Sequence, residues 1–170
     1  MKKENMVISF SGSHGTGKTT EAFKTCYEMK LSHPDKKVGI LYDFNRFAPK
    51  FNLNGDEDSQ RWIFQNRLIE EDKMIKRYPI LVCDRTIFDS IAYSYYLTLY
   101  ALAKEQTEIA KTRLNFYDTI IFKTIKNNDY LFDNKCRDTK NLTFRSDIEE
   151  ILLKVYKDLN LFNSKKLIII

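Results

Sequence analysis

The stretch Val7 to Thr20, VISFSGSHGTGKTT, restricts what this chain can fold into more than any other part of it. Val7, Ile8 and Phe10 make an apolar, partly β-branched run that reads as a buried strand. The run leads straight into Gly12-Ser13-His14-Gly15-Thr16-Gly17-Lys18-Thr19, which satisfies G-x-x-x-x-G-K-[ST] at every fixed position. Glycines at these places let the backbone close into a concave nest whose N–H groups converge on a phosphate. Lys18 adds a full positive charge for the outer phosphates, and the Thr19 hydroxyl is suited to join the coordination of Mg²⁺. The helix starting at Lys18, with Thr20 in its first turn, aims its positive dipole end at the same anion. An ordinary glycine-rich turn is the plain alternative, but strand, loop and helix signals follow here in the order that phosphate binding requires. His14 occupies a variable position and reads as a local hydrogen-bonding or shape residue rather than a base.

A length of 170 residues suits one domain with a single well-buried core. The net charge of +5 agrees with an anionic ligand, and equally with a lysine-rich composition of no special purpose. No apolar run approaches membrane-spanning length, and Met1-Lys2-Lys3-Glu4 opens no signal peptide, so no membrane partner is expected. Cys26, Cys83 and Cys136 are odd in number and widely spaced, which fits reduced thiols in a cytoplasm rather than disulfides or zinc.

Beyond the loop, a helix is predicted from Lys18 to about Leu31, stopped near His33-Pro34. Lys37 to Tyr42 reads as a second strand delivering Asp43 and then Arg46 at its C-terminal end, where open α/β sheets bind ligands. For Asp43 with Arg46, a site pair and a solvated turn are equally good readings. A long helix from Asp56–Ser59 to Lys76 carries Phe64, Leu68 and Ile75 on one stripe. Ile80 to Asp84 suits a buried parallel strand whose Asp84 and Arg85 emerge beside the glycine-rich loop.

Asp89 or Ser90 is expected to cap a helix running through Ala92, Tyr95, Leu99 and Leu102, with a shorter helix over Thr107 to Asn115. Asp118 to Phe122 reads as a fourth strand, and the lysine-rich stretch from Lys123 to Arg145 as a mobile flap. Ser146 and Glu149 form a capping-box pattern before the face Ile148, Leu152, Val155, Leu159. Leu167 to Ile170 reads as a last buried strand. The alternation implies an α/β fold with a mostly parallel five-stranded sheet and helices on both faces.

The acid of Asp84 suits metal binding, with capping of the next helix as its bland alternative. The guanidinium of Arg85 suits bidentate contact with phosphate oxygens. Taken together, SGSHGTGKTT, the acid-x-x-Arg step Asp43 to Arg46, Asp84-Arg85 and FDNKCRDTKNLTFR resemble the P-loop nucleoside and nucleotide kinase group. Within it the chain is most similar to ATP-binding kinases like the ribosylnicotinamide kinase domain of NAD-biosynthesis proteins, with thymidylate and deoxynucleoside kinases as wider relatives. The resemblance implies a three-layer α/β/α P-loop fold with a lid over about residues 123–145. It also implies ATP in the loop of Gly12 to Thr20, Mg²⁺ near Thr19 and Asp84, and a small nucleoside or nucleotide as acceptor.

By the same resemblance Asp43 matches the acid that meets the acceptor hydroxyl, and Arg137 and Arg145 match flap arginines closing over the transferring phosphate. Which of Asp43 and Asp84 orients the acceptor stays open. Lys135-Cys136 precedes Arg137 where relatives often carry a glycine. The chain stops at Ile170, where relatives continue into a loop beside the adenine, so GTP stays open as a donor, and base recognition is expected to be either loose or supplied by other residues. Two other readings are a nucleotide-dependent switch or ATPase and a polynucleotide 5′-kinase. The latter lacks an aromatic-and-basic groove pattern, so nucleic acid is a weaker expectation than a small acceptor. A homodimer is compatible with everything above.

Overall fold

The computed structural model describes residues 5–43, 48, 56–126 and 143–170. Five strands alternate with helices: β1 (Met6–Ser11), α1 (Lys18–Ser32), β2 (Val38–Leu41), α2 (Glu57–Arg77), β3 (Ile80–Asp84), α3 (Ile87–Tyr96), α4 (Tyr100–Thr112), β4 (Thr119–Phe122), α5 (Phe144–Asp158) and β5 (Leu167–Ile169). The strands lie in the order β2-β3-β1-β4-β5, and each adjacent pair is parallel. Because the chain leaves the centre at β1 and later returns on both sides of it, a crevice forms at the C-terminal ends of the strands.

Alternate residues of each strand face opposite layers. Ile8, Phe10 and Val82 pack under Ala22, Cys26 and Met29 of α1. Val7, Leu81, Cys83, Ile120 and Phe122 face the larger core, which is closed by Phe64, Phe88, Ile91, Ile148, Leu152 and Tyr156. The helices therefore cover both faces, as the alternation of elements anticipates. The aromatic centre of the larger core is interlocked, with Phe88 at 5.4 Å from Tyr117 and 5.7 Å, edge-on, from Tyr156. Among the described residues no helix is long and apolar enough to cross a membrane.

Several boundaries differ from those the sequence suggested. α3 begins at Ile87 with Thr86 as N-cap, and Asp89 is the third residue of a capping box rather than the cap itself. The expected helix through Leu102 is broken at Leu97–Leu99, where Thr98 takes φ 59°, and α4 then runs Tyr100–Thr112 instead of starting at Thr107. The spacing of apolar residues carries across such a break because both helices dock on the same core. Ser146 and Glu149 do not cap α5. The Ser146 hydroxyl donates to the Thr143 carbonyl at 2.7 Å, and the Glu149 carboxylate accepts from the Ile125 N–H at 2.7 Å.

The ends of the stretch expected as a flap are therefore tied to the body. Lys123 N–H donates to Ser11 O at 2.8 Å, Thr124 N–H to Ile170 O at 2.9 Å, and Arg145 lies in the first turn of α5. β5 is an edge strand, with Ile168 and Ile169 each 46% exposed, so it is not the buried strand its composition implied. Apolar residues alone do not tell an edge from a centre.

Phe88 is fully buried between two tyrosines. Phe88→Ala is expected to lower the unfolding free energy by about 3–5 kcal/mol, read from denaturant melts. A loss below about 1 kcal/mol would show that this layer repacks freely.

Candidate active site

Register sets the site. Phe10 pairs with Asp84 across β1 and β3, and the Arg85 N–H donates to Phe10 O at 2.8 Å. The glycine-rich loop thus leaves β1 directly beside the Asp84-Arg85 step. Gly12 takes φ 133°, and a methyl group there would collide with the Lys123 carbonyl. Gly17 is the N-cap of α1 in the left-handed region, at φ 77°, and among the described residues no side chain caps the helix. Its leading N–H groups are consequently presented by the loop itself, as anion binding requires.

Lys18 is buried, and its ammonium folds back to donate to the Ser13 carbonyl, with Thr16 Oγ1 3.4 Å away. Burial pushes its pKa down to about 7, and the positive charge of Arg85 adds to this against the pull of Asp89, Asp84 and Asp43. An anion at the loop would supply a countercharge that favours the protonated lysine. Thr19 Oγ1 donates to Asp84 Oδ2 at 2.7 Å, while Asp84 Oδ1 is buried and has no hydrogen-bond partner among the described residues. A hydroxyl and a carboxylate with one unmatched oxygen are the hard oxygen donors that Mg²⁺ accepts alongside waters and phosphate. The residues therefore fit the ion.

Arg85 adopts φ 81° and turns its side chain into the crevice. Its Nε donates to Asp43 Oδ2 at 2.5 Å, its Nη1 to Asp89 Oδ1 at 3.3 Å, and its Cζ stands 5.4 Å from the Tyr93 ring centroid. Burial opposes its charge, but Asp43, the Tyr93 phenol and Asp89 override that and raise its pKa. Asp43 thus pairs with Arg85, whereas Arg46, the partner that sequence spacing offered, lies outside the described residues.

Arg145 Nε donates to the His14 carbonyl at 3.1 Å, joining α5 to the loop. The His14 ring is buried 5.0 Å from Phe144, which suits the shape role anticipated for it. Thr20 is exposed in the first turn of α1. Arg137 falls outside the described residues. Tyr95 and Tyr96 pack on Tyr100 and Phe144, and Gln65 is exposed.

Sequence reasoning missed three buried polar residues. Asp89 accepts from the Thr86 N–H at 2.8 Å, from Thr86 Oγ1 at 2.7 Å and from the Gly12 N–H at 3.4 Å, besides Arg85. One carboxylate thereby ties the start of the loop to the Asp-Arg step. Arg67 donates to the carbonyls of Asp84 and Tyr42, holding the ends of β3 and β2 together. Glu71 lies 4.0 Å from Arg67 Nε and accepts from Tyr117 OH at 2.6 Å and Arg113 Nη2 at 3.2 Å. Burial raises the Glu71 pKa against the pull of Arg67, Tyr117 and Arg113. A signal existed: Arg67 and Glu71 fall three and seven residues after Phe64, on the stripe that otherwise carries the core.

No family model and no curated protein matches the chain. Solved structures do share its fold. Thymidylate kinase from Ehrlichia chaffeensis superposes with a TM-score of 0.68 at 17% identity, over 98% of this chain and 86% of that one. Deoxyadenosine kinase from M. mycoides, solved with dCMP and a flexible dCDP, gives 0.63 at 15% identity, over 97% and 89%. The NadR protein in complex with NAD and AMP-PNP gives 0.64 at 15%, over 98% of this chain and 45% of that one, so the chain spans under half of NadR. The architecture is the three-layer α/β/α P-loop fold found in these kinases.

The Lys18 ammonium, with a native pKa of about 7 against 10.5 in its ordinary state, destabilises the folded chain most at and below pH 7. Between these values the unfolded chain binds more protons, so on this group stability rises with pH until about 10.5. Denaturant melts of wild type and Lys18→Met should therefore differ most near pH 7 and converge toward pH 10, with inorganic triphosphate reducing the gap. A gap that is constant with pH would show that the lysine is not desolvated.

Proposed function

We propose that the chain is an ATP- and Mg²⁺-dependent kinase that transfers the γ-phosphoryl group to a small nucleoside or nucleotide. One observation carries this reading. The phosphate loop, the Thr19–Asp84 pair with its unmatched carboxylate oxygen, and the Arg85–Asp43 pair all open on the same end of adjacent parallel strands. The shared fold with nucleoside and nucleotide kinases supports it.

In this reading the loop amides and Lys18 hold the β- and γ-phosphates, and Thr19 and Asp84 hold the metal. When bound, the ion neutralises charge on the phosphate oxygens. Asp84 is then committed to Thr19 and the ion, which leaves Asp43, 26% exposed, to orient the acceptor oxygen. That oxygen bonds to the γ-phosphorus as the bond to the β–γ bridging oxygen breaks, and its proton leaves by way of Asp43 or the transferred phosphate. Arg85 stays cationic and faces the charge that spreads over the equatorial oxygens. Arg145 stands against the loop at His14 to do the same from the other helix, and Arg137 enters on the resemblance alone. Catalysis of this kind is positioning plus charge stabilisation. A compartment that keeps thiols reduced, such as the cytoplasm, suits three cysteines that are odd in number and widely spaced in sequence.

A coupled assay of ADP release across nucleosides and nucleoside monophosphates tests the proposal. At least one acceptor should stimulate release, and Lys18→Ala should fold yet lose about 10²–10³-fold in kcat/KM. Asp43→Asn should lower kcat more than it raises KM for the acceptor. Release no faster with any acceptor than without, or hydrolysis that answers only to a macromolecule, would replace the kinase with a nucleotide switch.

A further inference from the structure

β1 has two neighbours, and the proposed chemistry uses only one of them. On the β3 side stand Asp84 and Arg85, where the transferred group must lie. On the β4 side Phe122 pairs with Ser11, and the next residue, Lys123, donates its N–H to Ser11 O at 2.8 Å. Its carbonyl lies against Gly12, and its ammonium stands 3.8 Å from where a Cβ on Gly17 would be. The residue therefore runs along the flank of the loop from its first glycine to its last. A nucleotide whose γ end faces β3 must send its other end over this flank.

Among the described residues the Lys123 ammonium has one long contact. Its ammonium is 3.7 Å from Glu21 Oε1, longer than a hydrogen bond, and the Glu21 side chain is 39% exposed. The Lys123 side chain itself is only 15% exposed, so a cation there with no partner within hydrogen-bond distance at Glu21 gains from a phosphate oxygen, which carries more charge than one long carboxylate contact supplies. The backbone bonds of Lys123 already fasten β4 to the loop, so fastening does not explain its side chain.

We propose that Lys123 is a donor-binding residue, exchanging Glu21 for the non-transferring part of the nucleotide, the α-phosphate and the sugar beside it. The inference rests on the nucleotide reading of the loop. Because that part is common to substrate and product, Lys123 acts on ATP and ADP alike, and it sets affinity rather than the rate of transfer. Glu21 is its built-in competitor.

Titration calorimetry of the full chain with Mg·ADP tests this, with melting temperatures as the check on folding. Lys123→Met should weaken ADP about tenfold, and Lys123→Arg should retain most of the affinity. Glu21→Gln should tighten ADP about two- to threefold, and should do nothing once Lys123 is methionine. A Kd for Lys123→Met within twofold of wild type overturns the proposal. So does Glu21→Gln weakening ADP as Lys123→Met does, because the pair is then a strut between α1 and β4. Should Lys123→Met fail to fold, Lys123→Gln and Glu21→Gln decide in the same way. Lys18→Ala runs alongside: if it abolishes binding while Lys123→Met does not, only the role of Lys123 falls. If the wild type itself does not bind ADP, both readings fall.

Discussion

Two strands that are far apart in sequence, β1 and β3, lie side by side in parallel, and from that pairing the rest of the site follows. With Phe10 opposite Asp84, the loop that leaves β1 and the acid that ends β3 emerge within one hydrogen bond of each other, Thr19 to Asp84. Shifting the register by one residue would exchange the two faces of β3. It would send the Asp84 carboxylate away from Thr19 and carry Leu81 and Cys83 out of the larger core.

Gathering charge at this crevice is costly, and the structure offsets the cost locally. Lys18, Arg67, Glu71, Arg85, Asp84 and Asp89 are all buried. Isolated, each would lose several kcal/mol of hydration. Instead Asp89 and Asp43 flank Arg85, Glu71 flanks Arg67, and the backbone carbonyls of Asp84 and Tyr42 each accept from Arg67. Lys18 is the exception, since its closest contacts are neutral oxygens of its own loop and burial lowers its pKa. An under-compensated cation among well-paired ones is the feature on which the proposed phosphate site rests.

Legibility in the sequence divided along a physical line. The loop glycines, Lys18 and Thr19 were readable because local conformation places them: a strand, a turn that needs positive φ, and a helix start. Asp84 and Arg85 were readable because they end an apolar strand, whose place beside the loop the sheet pairing then sets. Asp89 was seen only as a helix cap, because its bonds to Gly12 and Arg85 cross 77 residues of chain in one case and need the left-handed Arg85 in the other. Arg67 and Glu71 were not singled out, although they sit on the apolar stripe of their helix, because charge on such a stripe shows no partner until other strands and helices pack against it. Lys123 was assigned to a flap, because a lysine after a strand looks the same whether it enters solvent or lies along a neighbouring loop.

By itself, then, the order of residues determined the alternation of strands and helices, the nest that a phosphate would occupy and the acid that ends β3, since each depends on neighbours a few positions away. Only the folded sheet decided which strand ends share the crevice, that Asp43 pairs with Arg85, that Asp89 joins the loop to the helix, and that Lys123 flanks β1 opposite Asp84. Those are contacts between segments whose adjacency comes from packing the whole apolar surface at once, and no short window of sequence contains that information.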